Sequence, residues 1–272
     1  MTRPSAAAIA AEALAARDGE RQIAPFSSRG DGLDLATAYD AAAQVRATRL
    51  ARGELPVGRK IGFTNRTIWD EYGVYAPIWG TMYASTVHEL ATLGGRFALE
   101  GLAEPRIEPE IVFGLARAPE PGMDAAAVLG CIDWIAHGFE IVQSIFPAWK
   151  FAAADTVAAF GLHGALLLGP RRSVIDADRA GWLASLSSFQ IDLLRNGQPA
   201  DHGHAANVLD GPLFALRHLV EVLAADPAQP PLEAGEMVTT GTLTRALPIA
   251  PGERWSTALH GVAIDGIEVV FA

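Results

Sequence analysis

Residues 104–113, Glu-Pro-Arg-Ile-Glu-Pro-Glu-Ile-Val-Phe, place charged side chains in a segment that otherwise has the composition of a buried strand. Side chains alternate between the two faces of a strand, so the charged residues would share one face: Glu104, Arg106, Glu108 and Glu110. Ionised carboxylates are rarely buried without partners. The chain must therefore expose this face to water, with Arg106 as a partner, or place a cation in front of it.

A third acid, Glu140, lies in the apolar segment His-Gly-Phe-Glu-Ile-Val-Gln-Ser-Ile-Phe, which is another strand candidate. Carboxylates that gather inside a sheet raise one another's pKa or recruit a cation. No cysteine or histidine accompanies Glu108, Glu110 and Glu140 at a spacing typical of metal ligands. Oxygen ligands alone favour a hard cation, so the cofactor predicted here is Mg²⁺ or Mn²⁺.

Lys60 lies within Gly-Arg-Lys-Ile-Gly-Phe, in a strand predicted over 57–63. A half-buried lysine near a metal can bind a substrate carboxylate or take part in proton transfer. The alternative is a strand lysine that is exposed to solvent.

The remaining pattern predicts an N-terminal helical region over 1–55 and a mostly β domain over 56–272. Strands outnumber helices and do not alternate strictly with them, which disfavours a Rossmann fold. Asn196-Gly197 and Asp265-Gly266 each indicate a β-hairpin turn. Predicted helices cover 4–18, 34–52, 123–137 and 210–225, with Asp34 and Asp210 as N-caps. Predicted strands cover 107–115, 138–146, 163–169, 188–195, 236–242 and 261–271.

Composition excludes several classes of partner. The formal net charge of −10 argues against a nucleic-acid or anionic-membrane surface, which would need clustered Lys and Arg. The single cysteine, Cys131, rules out a disulfide within the chain and fits a reducing cytoplasm. The alanine-rich N-terminus contains Glu12 and Arg17, so it is a poor signal peptide, and no segment is apolar for long enough to span a membrane.

Several segments together resemble the 2-keto-4-pentenoate hydratase and 4-oxalocrotonate decarboxylase group of the fumarylacetoacetate hydrolase superfamily. The similarity covers nearly the whole chain and rests on the order of these pieces: GRKIGFTN (58–65), YGVYAPIWG (72–80), PRIEPEIVFGL (105–115), FEIVQS (139–144), AADTVAAFGLHGALLLG (153–169) and GEMVTTGTLTRALPI (235–249). The resemblance implies an α+β fold with a mixed beta-roll core and a helical N-terminal region, assembled as a homo-oligomer.

The same resemblance implies a divalent metal held by Glu108, Glu110 and Glu140, with Lys60 as a catalytic residue. It implies a hydro-lyase that adds water to a 2-hydroxydienoate or 2-oxo-enoate, such as 2-hydroxypenta-2,4-dienoate, to give a 4-hydroxy-2-oxo acid. The alternatives are a decarboxylase of the 4-oxalocrotonate type, a C–C bond hydrolase, and a homologue that binds ligands without catalysis. The expected partner is a small 2-oxo acid.

The chain departs from the usual motifs of the group in the pocket segments. Tyr75 and Ile78 replace two aspartates, and Ala159, Phe160 and His163 replace Asp, Asn and Ser. His163 is therefore either a substitute proton donor, and so a second catalytic candidate, or a packed strand residue. The substrate-binding candidates are Ile78, Trp79, Asp155, Phe160 and Thr242.

An apolar wall formed by Ile78, Phe160 and His163 predicts a monocarboxylate substrate with a short or apolar tail. A second carboxylate would be disfavoured unless Arg66 or Arg245 reaches it.

Other histidines and the tryptophans have structural interpretations. His202 and His204 are expected to be exposed in a loop, and Asp133 and His137 to interact on one helix face. The tryptophans are expected in the core or at an interface, although the segment of Trp79 should border the pocket.

Overall fold

The computed structural model describes residues 5–272. The helices in this range are α1 (Ala6–Asp18), α2 (Leu35–Ala51), α3 (Trp69–Tyr72), α4 (Ala125–Leu129), α5 (Ala153–Ala158), α6 (Arg179–Ser185) and α7 (Pro212–Ala225). The strands are β1 (Pro56–Gly62), β2 (Ile78–Tyr83), β3 (Val87–Glu89), β4 (Arg96–Phe97), β5 (Arg106–Leu115), β6 (Ile132–Val142), β7 (His163–Leu168), β8 (Arg172–Ser173), β9 (Gln190–Arg195), β10 (Gln198–His204), β11 (Met237–Thr239), β12 (Leu247–Pro248), β13 (Arg254–His260) and β14 (Glu268–Phe271).

Two sheets organise the chain, in agreement with the expected α+β class and mixed beta-roll core. The larger sheet has the order β2-β1-β11-β5-β6-β7-β3, with β12 on β5 and β8 on β6. The smaller sheet has the order β10-β9-β13-β14-β4. The β1–β11 and β3–β7 pairs are parallel and the β5–β6 pair is antiparallel, so the larger sheet is mixed.

The central β5–β6 pair has different surroundings on its two faces. One face carries Ile107, Phe139 and Ile141, which pack with Trp255 and Phe271 of the smaller sheet in one buried cluster. The other face carries the glutamates, because side chains alternate along each strand. The apolar core between the two sheets thus holds β5 and β6, the strands that carry the glutamates, in a fixed position.

The helices of the first 55 residues pack through small side chains. Ala13 of α1, Ala38 and Ala41 of α2, and Ala158 of α5 lie in one buried cluster, where alanine allows close approach of helix backbones. The predicted α2 and its Asp34 cap are confirmed, because the Asp34 carboxylate accepts a hydrogen bond from Thr37 N. The boundary at residue 55 as a domain boundary stays a prediction. Residue 4, the first of the predicted helix 4–18, lies outside the described residues.

The helix predicted over 123–137 is wrong beyond its first turns. Helix α4 ends at Leu129, and strand β6 begins at Ile132 and pairs with both β5 and β7. The segment after Gly130 is rich in β-branched and aromatic residues, and its tertiary pairing overrides the local helical spacing. Asp133 and His137 therefore do not share a helix face: Asp133 is exposed and His137 is buried.

The predictions near chain reversals had different outcomes. The hairpin turn predicted at Asp265-Gly266 is wrong, because the longer segment 261–267 connects strands β13 and β14. Asn196-Gly197 is confirmed as a two-residue hairpin turn between β9 and β10, with φ of 54° and 77°. The strand predicted over 261–271 is wrong in its first half, which connects β13 to β14. Gly266 is there because a Cβ would lie 1.9 Å from Thr257 O, a close backbone approach that its sequence pattern alone does not reveal. Helix α7 has Gly211 rather than Asp210 at its N-cap.

No helix within residues 5–272 is both long enough and apolar enough to cross a membrane.

Candidate metal centre and active site

The three glutamates meet on one face of the larger sheet. Glu108 and Glu110 lie on β5, and Glu140 lies on β6 directly opposite Glu108 in the antiparallel register. One carboxylate oxygen from each residue lies within 4.8 Å of the others. Glu110 and Glu140 are fully buried and Glu108 is half-buried. The strand register therefore brings together the acids that the sequence separates by about 30 residues.

Each buried carboxylate has one oxygen held by the protein and one oxygen without a hydrogen bond. Glu110 Oε2 accepts a hydrogen bond of 2.7 Å from Gly241 N, and Glu140 Oε1 lies 2.8 Å from His163 Nδ1. Glu110 Oε1 is buried and has no hydrogen-bond partner among the described residues, whereas Glu140 Oε2 has no hydrogen bond but forms an ion pair of 3.2 Å with Lys60 Nζ. A carboxylate oxygen is rarely buried without a partner, and hard divalent cations prefer such ligands. The residues present therefore fit a divalent cation.

Gly241 makes this arrangement possible. Its φ is 98°, and a Cβ would lie 1.7 Å from Thr64 Oγ1, so only glycine brings this backbone N–H to Glu110. The Gly-Thr segment after β11 thus orients the Glu110 carboxylate and does not itself supply a side chain for the metal.

Burial and mutual repulsion separate the pKa values of the three acids. Burial, followed by the charges of Glu140 and Glu108, raises the pKa of Glu110 well above its usual value. Burial raises the pKa of Glu108 to about 7, although Lys60 opposes the shift. Burial alone would also raise the pKa of Glu140, but the charge of Lys60 and the His163 hydrogen bond lower it to about 2. Without a cation, the cluster thus retains protons near neutral pH.

Cation binding should consequently displace protons. Because the pKa values of Glu108 and Glu110 are raised, we expect Mg²⁺ affinity to increase between about pH 6 and about pH 8, by roughly tenfold per pH unit for each proton displaced. Titration calorimetry at about pH 7, in two buffers with different ionisation enthalpies, would measure the protons released. An observed enthalpy independent of the buffer would contradict the expectation.

Lys60 faces the glutamates from β1 and is 2% exposed. Its Nζ donates a hydrogen bond of 2.9 Å to Gly161 O and lies 3.2 Å from Glu140 Oε2. Burial alone would lower the pKa of Lys60, but the charges of Glu140, Glu108 and Glu110 raise it above its usual value. Lys60 is therefore a protonated, buried cation beside the acids, and the alternative of an exposed strand lysine is wrong.

The acceptor for Lys60 lies in a strained turn. Phe160, Gly161 and Leu162 all have φ of 63°, and left-handed backbone costs a non-glycine residue about 1–2 kcal/mol. Surrounding contacts must stabilise such a conformation, which is frequent at functional sites. The turn places a carbonyl where the lysine can be held.

A narrow cavity opens in front of Lys60 and Glu108. Its wall is mainly aromatic and aliphatic, formed by Phe63, Tyr72, Trp149 and Leu162. Tyr72 and Trp149 come from segments that no sequence motif links to the glutamates. Their aromatic side chains were the only feature of the sequence that could have indicated a place in the cavity wall. Trp149 therefore borders this cavity, and substrate contact by Trp79 stays a prediction.

His163 lies behind the glutamate cluster. Its Nδ1 contacts Glu140 Oε1, its Nε2 lies 2.8 Å from Thr86 Oγ1, and the ring is buried. Burial lowers the pKa of His163 despite the neighbouring carboxylate. This geometry favours an orienting role for His163, through Glu140, while direct catalysis by the ring stays a prediction.

The residues that replace the group's polar positions have well-defined protein contacts, and their role as an apolar pocket wall stays a prediction. Trp79 stacks on Tyr39 at 5.3 Å, and the guanidinium of Arg17 lies over the Phe160 ring. Ile78 packs with Phe160 in the cluster around the N-terminal helices. Ile78 Cδ1 also lies close to the cavity-lining Gly62 and Gly161, since a Cβ at these positions would be 3.1 Å and 3.4 Å from it. Substrate contact by Ile78, Trp79 and Phe160 stays a prediction.

Asp155 and Thr242 already have protein partners. The Asp155 carboxylate accepts hydrogen bonds from Ser27 N, Ser27 Oγ and Ala152 N, so it joins α5 to the N-terminal region. Thr242 Oγ1 donates to Thr244 O. These bonds favour structural roles, and a direct contact with substrate stays a prediction for both residues.

The remaining polar candidates contribute no side chain to the cluster of Glu108, Glu110 and Glu140. His202 is exposed, as expected, but it lies on β10 and pairs with Asp192. His137 Nε2 contacts Thr257 Oγ1 and its Nδ1 contacts Glu110 O. Glu104 precedes β5 and accepts hydrogen bonds from Gln22 and Ala148, so it does not share the face of Glu108 and Glu110 as expected.

The fold and the metal-ligand cluster define a protein of the fumarylacetoacetate hydrolase type. Fumarylpyruvate hydrolase from Pseudomonas aeruginosa, in complex with Mn²⁺ and pyruvate, has the same fold, with a TM-score of 0.58 over 80% of this chain and 90% of that chain at 14% identity. No family model matches the chain.

Two more similar proteins narrow the assignment. A 2-hydroxyhexa-2,4-dienoate hydratase from Comamonas testosteroni is 31% identical over 251 residues, which are 91% of each protein. A 4-oxalocrotonate decarboxylase from Pseudomonas putida G7, complexed with magnesium and adipate, has a TM-score of 0.86 and 25% identity over 100% of this chain and 99% of that chain. The chain belongs to the 2-keto-4-pentenoate hydratase and 4-oxalocrotonate decarboxylase group of the fumarylacetoacetate hydrolase superfamily.

Proposed function

We propose that this protein is a divalent-metal-dependent hydratase. It would add water to a 2-hydroxydienoate, or to its 2-oxo tautomer, and release a 4-hydroxy-2-oxo acid. The observation that carries the proposal is the three-glutamate cluster facing the buried Lys60 at the end of a cavity. The hydratase relative from Comamonas testosteroni supports the reaction class.

Glu108, Glu110 and Glu140 would hold the metal, for which we propose Mg²⁺ or Mn²⁺. When bound, such an ion acts as a Lewis acid that stabilises negative charge on a substrate oxygen. Gly241 and His163 keep the ligands oriented by holding one oxygen each of Glu110 and Glu140. The acids therefore need little rearrangement on binding.

Lys60 would bind the substrate carboxylate and supply a proton. Without a bound cation, the charges of the glutamates raise the pKa of Lys60 above its usual value. A bound cation would offset these charges, and the ammonium group could then pair with the substrate carboxylate and donate a proton. The aromatic wall formed by Phe63, Tyr72 and Trp149 would exclude bulk water and strengthen these electrostatic contacts. The sites that hold and protonate the substrate are thus separated from solvent.

Decarboxylation is the second candidate, because the decarboxylase from Pseudomonas putida G7 matches the full length of this fold. An enolate-stabilising site serves both reactions, and the two differ in the substrate's leaving group. The alternatives of a C–C bond hydrolase and of a non-catalytic homologue have no comparable support in the residues of the cavity.

The direct test is turnover of 2-hydroxypenta-2,4-dienoate by the protein loaded with Mg²⁺ or Mn²⁺. We expect metal-dependent loss of the diene absorbance and formation of 4-hydroxy-2-oxopentanoate, identified by mass spectrometry. Release of CO₂ from a 2-oxo-hexenedioate without hydration of either substrate would favour the decarboxylase. Absence of both reactions with metal bound would contradict the proposal. Homo-oligomerisation and a cytoplasmic location stay predictions.

A further inference from the structure

A second cavity, the α1–α2 cavity, lies between α1, α2 and the segment that joins β2 to β3. Its wall includes Leu14 and Arg17 of α1, Arg49 of α2, Thr86, and Gln143 at the end of β6. The volume of about 300 Å³ is comparable to that of the smaller ligand sites in proteins. Within the described chain it shares no lining residue with the cavity in front of the glutamate cluster, so it is a separate site.

Most charges at the wall of the α1–α2 cavity compensate one another. Asp18 pairs with Arg52 at 2.8 Å, and Glu54 pairs with Arg49. The third acid of the wall, Glu20, is exposed to solvent. This arrangement leaves one cation of the wall without a neighbouring acid.

That cation is the guanidinium of Arg17. Among residues 5–272 it has no hydrogen bond, and no carboxylate lies within 4.0 Å of it. Its central carbon lies 5.2 Å from the centre of the Phe160 ring. Burial, followed by the charge of Arg49, lowers the pKa of Arg17 to about 10, so the group keeps its charge near neutral pH. A partly buried cation without an acid is unfavourable, and an anion beside it would offset the cost.

Gln143 supplies a second free donor to the α1–α2 cavity. The side chain is 5% exposed, and its Oε1 accepts a hydrogen bond of 3.1 Å from Ala103 N. Because the oxygen is occupied in this way, the free end of the amide is the Nε2 group, which has no hydrogen-bond partner in the described part of the chain. A buried amide is rarely left without an acceptor. Arg49 Nη1 is likewise buried without a hydrogen bond, on a side chain that lines the same cavity.

We propose that the α1–α2 cavity is a second ligand site that binds a small oxyanion, a carboxylate or a phosphate, through Arg17 and Gln143. A planar guanidinium matches the two oxygens of such a group, and the amide N–H adds a further donor. The acids of the wall do not oppose this binding, because two are neutralised by arginines and the third faces solvent. The inference does not depend on the reaction that the protein catalyses.

The α1–α2 cavity is connected to the glutamate cluster by two sets of contacts. Arg17 lies over Phe160, the first residue of the turn whose Gly161 carbonyl accepts the hydrogen bond of Lys60. Thr86 Oγ1 lies 2.8 Å from Nε2 of His163, the histidine that contacts Glu140. A bound oxyanion would therefore contact elements that support the active site without entering the substrate cavity.

Titration of the metal-free protein with inorganic phosphate and with acetate tests the inference, because neither ion can then bind through a metal. Sodium chloride keeps the ionic strength constant and separates specific binding from screening. We expect calorimetry to show saturable binding, and the tighter of the two ions identifies the preferred oxyanion. Arg17→Met should weaken binding by about tenfold or more, and Arg17→Lys by less, since charge-assisted hydrogen bonds are the stronger ones.

Gln143→Glu is the sharpest variant. A carboxylate keeps an acceptor for Ala103 N but replaces the free donor with a negative charge. It should abolish binding of both ions, while the protein without added ions keeps a cooperative thermal transition, which excludes misfolding as the cause. Retention of full affinity by both Gln143→Glu and Arg17→Met would overturn the inference.

Lys60→Met and Arg21→Met are the matched controls. The first removes the cation of the other cavity, and the second removes an exposed arginine that does not line the α1–α2 cavity. Both should bind the ions within about twofold of the affinity of the unchanged protein. Loss of binding in Lys60→Met but not in Arg17→Met would place the ion beside the glutamates and contradict the assignment. Absence of saturable binding by the unchanged protein would contradict it as well.

Discussion

Glu110→Gln is expected to lower Mg²⁺ affinity by about 100-fold or more and to abolish measurable turnover. Changes to the partners of metal ligands already cost about 10–100-fold, and this substitution removes the charge of a ligand itself. Glutamine keeps the size of the side chain and an oxygen that can accept the Gly241 N–H. Calorimetric titration with Mg²⁺, followed by assay at saturating substrate, would measure both effects.

Thermal unfolding separates this loss from misfolding. In the metal-free protein, burial raises the pKa of Glu110, so a neutral amide should be tolerated at least as well as the acid. The melting temperature without metal should therefore not fall, and added Mg²⁺ should no longer increase it. Glu120→Gln, at an exposed position, is the matched control. Retention of full Mg²⁺ affinity by Glu110→Gln would disprove the assignment of this ligand.

Lys60→Met should decrease kcat by about 10³-fold at saturating Mg²⁺, within the usual range for a lost acid–base group. Mg²⁺ affinity should be unchanged or higher, because the substitution removes a positive charge that lies 3.2 Å from Glu140 Oε2. Methionine fills most of the volume of the buried lysine stem. The measurement is steady-state kinetics together with a metal titration of the same sample.

The chain provides a direct control for this experiment, because its only other lysine, Lys150, is exposed. Lys150→Met should leave kcat within about twofold, as expected for a surface substitution. A Lys60→Met protein with unimpaired kcat would show that the lysine is structural. If metal affinity instead falls as much as kcat, the result would indicate that Lys60 contributes to metal binding.

The ligand cluster could be predicted from sequence because it depends on strand alternation and a recognisable order of motifs. Glu108 and Glu110 lie two residues apart on a strand, so they had to share a face, and the motifs linked Glu140 to them. Lys60 was predicted in the same way. The three glutamates converge because the antiparallel register of β5 and β6 places Glu140 opposite Glu108.

The cavity wall could not be predicted in this way, since it depends on contacts between distant segments. Phe160 was assigned to the pocket from its position in a motif, but its left-handed backbone directs the ring under Arg17. Tyr72 and Trp149 are 77 residues apart, yet their rings lie 6.2 Å apart and both pack against Phe151 and Arg106. The first half of β6, residues 132–137, was predicted as the end of a helix because local spacing carries no information about the pairing of β6 with β5 and β7.

The hydrogen bonds between Ser27 and Asp155 connect the earliest part of the chain to the orientation of Lys60. Asp155 belongs to α5, which leads directly into the turn whose Gly161 carbonyl holds the ammonium group. Among residues 5–55, no side chain belongs to the glutamate cluster, yet Ser27 contacts the helix that leads into the turn holding Lys60. We therefore expect that separating the two regions at residue 55 would leave Glu108, Glu110 and Glu140 in one fragment but remove a contact that supports the turn to which Lys60 donates its hydrogen bond.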